Sequence, residues 1–254
     1  MRDLPAAFLR RPIAHRGLHD RSRRVIENSR AAVAAAVAGG FGVEIDVQRA
    51  ACGEAMVFHD DDLPRLTGVA GALRDRTAAE LAAIPLIDGD ETVPTLAEVL
   101  RLVAGRAPLL IEVKDQTRRL GPDVGPLEAR VATLLAGYAG PVAVMSFNPR
   151  SVGAMAEAAP AVTRGLTSCA FARDDWDAPL ARREALADLR DFDAVGASFI
   201  SHDHTDLGNR AVARVKARGV PVLTWTIRSA AQEAAARRVA DNVTFEGYKP
   251  VSAD

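Results

Sequence analysis

Apolar positions along the chain follow two alternating rhythms: short β-branched runs, and longer stretches where an apolar residue returns at every third or fourth position. The runs at 12–15, 41–47, 55–58, 109–114, 142–147, 163–167, 194–200, 220–227 and 242–246 predict strands. The helical period predicts helices over 27–39, 78–83, 95–104, 126–136 and 149–158, with others centred near Ala185, Val212 and Ala235. Gly39-Gly40 stops the first helix, and Cys52-Gly53-Glu54 reads as a turn between the second and third runs. Residues 59–92 break the rhythm with Pro64, Gly68, Gly71, Pro85 and Gly89, so an insertion is expected over about 48–93. Without it, roughly eight strands alternate with helices, the pattern of a parallel sheet closed into a (β/α)8 barrel. A doubly wound open sheet shares that alternation and is the alternative. No low-complexity linker divides the chain, so 1–254 is expected to be a single domain.

Composition narrows the class without changing the fold. At 254 residues and 48% hydrophobic content the chain can fill one large core, and a net charge of -1 carries no signature of nucleic-acid or membrane binding. Residues 1–13 lack the apolar centre of a signal peptide, and the alanine-rich run at 31–38 is too short to span a bilayer. A cytoplasmic protein without stable membrane association is expected. Cys52 and Cys169 imply no disulfide framework, although one bridge between them is compatible with the count.

The candidate chemistry starts at Val43-Glu44-Ile45-Asp46-Val47, where two carboxylates alternate with apolar residues and share one face of a strand. They stand about 6.5 to 7 Å apart. If that face is buried, either a metal ion or a basic group must lie between them; an edge strand with a solvated polar face is the other option. Working residues in such barrels gather at the carboxyl ends of strands. His15-Arg16 ends the first strand, and Glu112 and Lys114 end the strand after the insertion. A reversal centred on Cys52-Gly53 would place His59 directly opposite Asp46, and a shift of one residue would turn it away.

Glu44, Asp46 and Glu112 then supply oxygen donors suited to one hard divalent ion, Mg2+ or Ca2+. Arg16 and Lys114 supply fixed positive charge for an anionic substrate, and His15 and His59 can act as acid and base near neutral pH. Phosphoryl chemistry fits this set because it rewards charge neutralisation and positioning. Other signals are weaker. Ser201-His202-Asp203-His204 reads as a polar loop after a strand, with its H-x-H as a lesser metal candidate; His19 and the Arg21, Arg23, Arg24 cluster read as solvated. Trp225 either lines the pocket or packs in the core.

With these residues in place, the sequence resembles the glycerophosphodiester phosphodiesterase family. The resemblance rests on Ala14-His15-Arg16-Gly17, Glu27-Asn28-Ser29, Glu44-Ile45-Asp46, His59-Asp60, Arg65-Leu66-Thr67-Gly68, Val93-Pro94-Thr95-Leu96 and Ile111-Glu112-Val113-Lys114. Looser pieces follow at Ser146-Phe147, Thr224-Trp225-Thr226 and Phe245-Glu246-Gly247. The resemblance implies a barrel enzyme that hydrolyses glycerophosphodiesters to glycerol 3-phosphate and an alcohol. It also implies that Glu44, Asp46 and Glu112 hold the metal, that His15 and His59 are the acid/base pair, and that Arg16 and Lys114 meet the phosphate. Glu27 would orient Arg16 or approach the metal; Trp225, if it lines the pocket, would pack on the glycerol carbons. Ile26 stands where the family usually has proline, and Phe245-Glu246-Gly247 replaces its aspartate-bearing TDxP segment. A cyclising phospholipase D-like lyase and a non-catalytic phosphodiester-binding barrel are the alternative functions.

Overall fold

A computed structural model of the chain describes residues 3–117, 119–172 and 176–250, so the ends of the expected 1–254 span lie outside the described residues. The strands are β1 (Ile13–Ala14), β2 (Gly42–Arg49), β3 (Ala55–Val57), β4 (Leu109–Val113), β5 (Val142–Ser146), β6 (Thr163–Ser168), β7 (Phe199–Asp203), β8 (Val222–Ile227) and β9 (Asn242–Phe245). All except β3 pair in parallel around a ring, and Ile13 closes it by matching Gly42 on one side and Thr244 on the other. The barrel is closed, which excludes the open-sheet alternative.

The helices are α1 (Ala7–Arg10), α2 (Arg30–Ala38), α3 (Pro64–Thr67), α4 (Ala78–Ala82), α5 (Leu96–Val103), α6 (Pro126–Leu135), α7 (Pro149–Ala158), α8 (Leu180–Ala187), α9 (Arg210–Lys216) and α10 (Ala230–Ala236). Local chemistry sets their starts. Thr95 and Glu98 cap α5 reciprocally, and Pro149 opens α7 behind the Asn148 cap. Ser29 caps α2 by accepting from the Ala32 N–H at 3.1 Å. The helix expected over 27–39 therefore begins late, and Glu27 and Asn28 stay in the preceding loop, with Asn28 at φ 58°.

Alternation along β2 and β4 sorts side chains between two cores. Val43, Ile45, Val47, Leu109, Ile111 and Val113 pack outward in the cluster that includes residues of α2, α5 and α6. The residues between them turn into the barrel. Its lower part is apolar, with Ile13, Leu110, Ala143, Met145, Phe199 and Leu223 closed off by Leu4 and Phe8. Phe8 is fully buried, and Asn242 ties its segment down by donating to the carbonyls of Phe8 and Arg11. Phe8→Ala should cost about 3 to 5 kcal/mol of stability, read as a lower denaturation midpoint in urea.

The strand expected over 194–200 begins late and runs on further. Gly196 takes φ 61° and turns the chain, so β7 starts at Phe199 and extends through Ser201-His202-Asp203, which had read as a loop. The insertion folds around its own cluster, including Met56, Phe58, Leu63, Leu73 and Leu81. Cys52 and Cys169 are both free thiols. Among the described residues no helix is long and apolar enough to cross a membrane.

Candidate active site

At the carboxyl end of β1 the chain makes a tight turn that only glycine allows at position 17. Gly17 has φ 78°, and an added Cβ would lie 2.7 Å from the Ala32 carbonyl carbon on α2. Arg16 also takes a positive φ of 54°, and its N–H donates to Glu44 Oε2 at 2.9 Å. The guanidinium donates to Glu27 Oε1 at 2.6 Å and lies 3.4 Å from Asp46 Oδ2. A strained turn is thus held between two strands by charge.

Across the β2–β4 ladder Asp46 is matched with Glu112, and Glu44 lies one step below Asp46 on the same face. One carboxylate oxygen from each of the three lies within 4.8 Å of the others, and all three residues are buried. Lys114 Nζ stands 3.0 Å from Glu112 Oε1 and 3.7 Å from Asp46 Oδ1. Asn28 donates to Asp46 Oδ2 at 2.9 Å and accepts from its N–H at 3.2 Å. Burial and the neighbouring Asp46 and Glu112 push the Glu44 carboxyl well above its ordinary range. For Asp46, burial acts upward too, but His59, Lys114 and Arg16 outweigh it and hold the group low. Three buried carboxyl groups crowd together beside two cations, and the donors are all oxygen. The set fits a hard divalent ion.

His59 reaches this site by another route than the one expected. The β2–β3 ladder pairs Val47 with Val57 and Gln48 with Met56, so Phe58, not His59, comes opposite Asp46. The chain leaves the ladder at that point, which frees His59 from strand alternation. The Gln48 amide donates to the carbonyls of His59 at 2.9 Å and Asp60 at 2.5 Å. His59 Nδ1 pairs with Asp60 Oδ1 at 2.8 Å, and Arg65 binds both Asp60 and Glu27. Burial would raise the Glu27 carboxyl, yet Arg65 and Arg16 bring it down to about 2 from 4.5. Its contribution to stability is therefore complete above pH 4.5 and fades as pH falls toward about 2. The stability gap between wild type and Glu27→Gln should shrink across that window in urea titrations.

His15, Arg16, Glu44, Asp46, His59, Glu112, Lys114 and Trp225 all line a single cavity of about 310 Å³, and Glu27 braces it from behind through Arg16. Phe147, Asp203, His204 and Arg228 line it as well. The Trp225 ring meets Phe147 edge to face with centroids 5.5 Å apart, and its Nε1–H donates to the Ser201 carbonyl. His202 is no ligand: it is fully buried, with Nδ1 on Ser168 Oγ and Nε2 on Asp206. His19, expected in solvent, turns Nε2 to within 3.5 Å of Glu246 Oε2. The same carboxylate oxygen lies 2.5 Å from His15 Nδ1. Asn28, Asp60 and Glu246 are site residues for which sequence reasoning assigned no contact; the Glu27-Asn28 and His59-Asp60 pairs were the available signal.

Comparison with known proteins agrees with this architecture. The sequence model of the Glycerophosphoryl diester phosphodiesterase family matches residues 15–243. The Bacillus subtilis protein YhdW, provisionally named a glycerophosphodiester phosphodiesterase, is 29% identical over 85% of this chain and 86% of its own. A glycerophosphodiester phosphodiesterase of Caldanaerobacter subterraneus is 37% identical over 41% of this chain and 44% of its own. In fold, the chain is similar to an Oleispira antarctica phosphodiesterase solved in complex with the product sn-glycerol-3-phosphate, with TM-score 0.76, 24% identity and 94% of each chain covered. A Silicibacter pomeroyi structure gives TM-score 0.75 at 22% identity, covering 96% of this chain and 94% of that one. The chain belongs to the glycerophosphoryl diester phosphodiesterase family.

Proposed function

We propose that this chain hydrolyses glycerophosphodiesters to glycerol 3-phosphate and an alcohol. Glu44, Asp46 and Glu112 would hold one Mg2+ or Ca2+, and His15 and His59 would serve as the acid/base pair. The observation that carries this reading is the pairing of the two imidazoles. Each has Nδ1 on a carboxylate, Glu246 or Asp60, and each lines the cavity that holds the three-carboxylate cluster. That leaves Nε2 as the working nitrogen on both.

A bound divalent ion supplies charge neutralisation for the phosphoryl oxygens. The remaining work belongs to the side chains. Arg16 and Lys114, beside the cluster, orient the anionic diester. One neutral imidazole takes a proton at Nε2 from the attacking hydroxyl, and the other, protonated, gives one at Nε2 to the departing alkoxide. If the attacker is the substrate's own hydroxyl, a cyclic phosphate forms, and water opens it with the two histidines exchanging roles.

Incubating the purified protein with glycerophosphocholine and Mg2+, Ca2+ or Mn2+ should release glycerol 3-phosphate, and EDTA should abolish the release. Phosphorus NMR of the product separates hydrolysis from a lyase reaction, which would stop at the cyclic phosphate. No release from any of several glycerophosphodiesters would reject the reading.

A further inference from the structure

One carboxylate collects three basic groups at the edge of the site. Glu246 follows β9 directly, and its side chain is 19% exposed. Oε2 faces His15 Nδ1 at 2.5 Å and His19 Nε2 at 3.5 Å. Oε1 accepts from Arg228 Nε at 2.8 Å and lies 2.8 Å from Nη2. The backbone is pinned as well: the Glu246 N–H donates to the Ile227 carbonyl, and the His15 N–H donates to that of Phe245. Main chain and side chain together fix the distance between β1 and β9 at this level.

We propose that Glu246 is a positioning residue for His15. It holds the imidazole as the Nδ1–H tautomer with Nε2 toward the cavity, and Arg228 and His19 fix the carboxylate in turn. The proposal rests on the reading of His15 as an acid/base group, which it deepens. The physical case is that a solitary imidazole can rotate and can carry its proton on either nitrogen. A carboxylate fixed at hydrogen-bond distance removes both freedoms, and it favours the imidazolium that forms when Nε2 takes a proton. His59 has the same construction on a different loop, with Asp60 on Nδ1 and Arg65 behind Asp60. Two loops that build the same carboxylate-and-arginine support make a purely structural origin for Glu246 less economical.

The groups facing His15 are Glu246 from beyond β9, Asp46 from β2 and Arg16 from its own loop. Burial draws the imidazole below its ordinary value, and Glu246 opposes that pull.

The test compares wild type, Glu246→Gln and Glu246→Asp as full chains. Long-range proton–nitrogen NMR of 15N-histidine-labelled, EDTA-treated protein reads the His15 tautomer. Wild type should show Nδ1–H. Glu246→Gln should lose that single tautomer; Glu246→Asp should restore it. In steady state, Glu246→Gln should lose at least about 10-fold in kcat with KM within about threefold, and Glu246→Asp should recover most of it. An unchanged tautomer in Glu246→Gln would overturn the proposal, even if the thermal midpoint fell. The NMR comparison needs no turnover, so a wild-type chain that hydrolyses no diester would count against the functional reading alone.

Discussion

In assays on a glycerophosphodiester, His15→Ala and His59→Ala should each lose about 100-fold to 10,000-fold in kcat, the range that a positioned acid or base contributes. The fold should survive both changes. The side chains are 13% and 32% exposed and border the cavity, so truncation removes a polar wall and leaves the packed core intact. Each substitution leaves a carboxylate behind, but neither carboxylate is stranded. Glu246 keeps Arg228, and Asp60 keeps Arg65 at two hydrogen bonds. Circular dichroism and thermal midpoints should therefore stay near wild type while turnover collapses. The double variant should fall by less than the product of the single losses, since either change alone already breaks the concerted use of the pair. Full activity in either single variant would end the acid/base assignment.

The second large effect concerns the carboxylate cluster, where two conservative changes should diverge. Glu44→Gln and Asp46→Asn should each weaken Mg2+ or Ca2+ binding by about 100-fold or more, measured by calorimetry, since each removes one of three anionic oxygen donors. In the chelated protein their stabilities should move in opposite directions. Glu44 has like charges on both sides and accepts the Arg16 N–H, a bond that a glutamine oxygen can also accept, so Glu44→Gln relieves repulsion at no loss of that contact. Asp46 instead satisfies Arg16, Lys114 and Asn28. Asp46→Asn leaves buried cations short of charge and sets one amide donor against another, with a cost of about 3 to 5 kcal/mol. The thermal midpoint with EDTA should hold or rise for the first and drop for the second. Unchanged metal affinity in both would remove the cluster from the function.

Much of this arrangement was legible in the sequence where a side chain's direction follows from a strand's period. Glu44 and Asp46 on one face, with Val43, Ile45 and Val47 on the other, needed only alternation, and Glu112 followed from the same rule on β4. The helix starts expected at 95 and 149 lie within one residue of those of α5 and α7, where Thr95 and Asn148 are the caps. The failures occurred where the chain escapes a period. A one-residue difference in the β2–β3 register put Phe58 opposite Asp46, and His59 arrived through loop geometry stabilised by Gln48. At β7 a left-handed glycine inside the apolar run, Gly196, delays the strand to Phe199, and the polar residues after Ile200 continue it to Asp203. His19 looked solvated because its partner, Glu246, is brought to it only by closure of the barrel.

The eight-residue strand β2 places its inward residues at fixed two-residue steps: Glu44 and Asp46 in the carboxylate cluster, then Gln48 beneath the His59 loop. Its outward residues occupy the alternate steps against the helices. Over evolutionary time this segment can exchange side chains but cannot change length. A single codon deleted or inserted between positions 44 and 48 would turn every later residue of the strand to the wrong side at once, carrying Val47 into the cavity and the histidine's support into the hydrophobic layer.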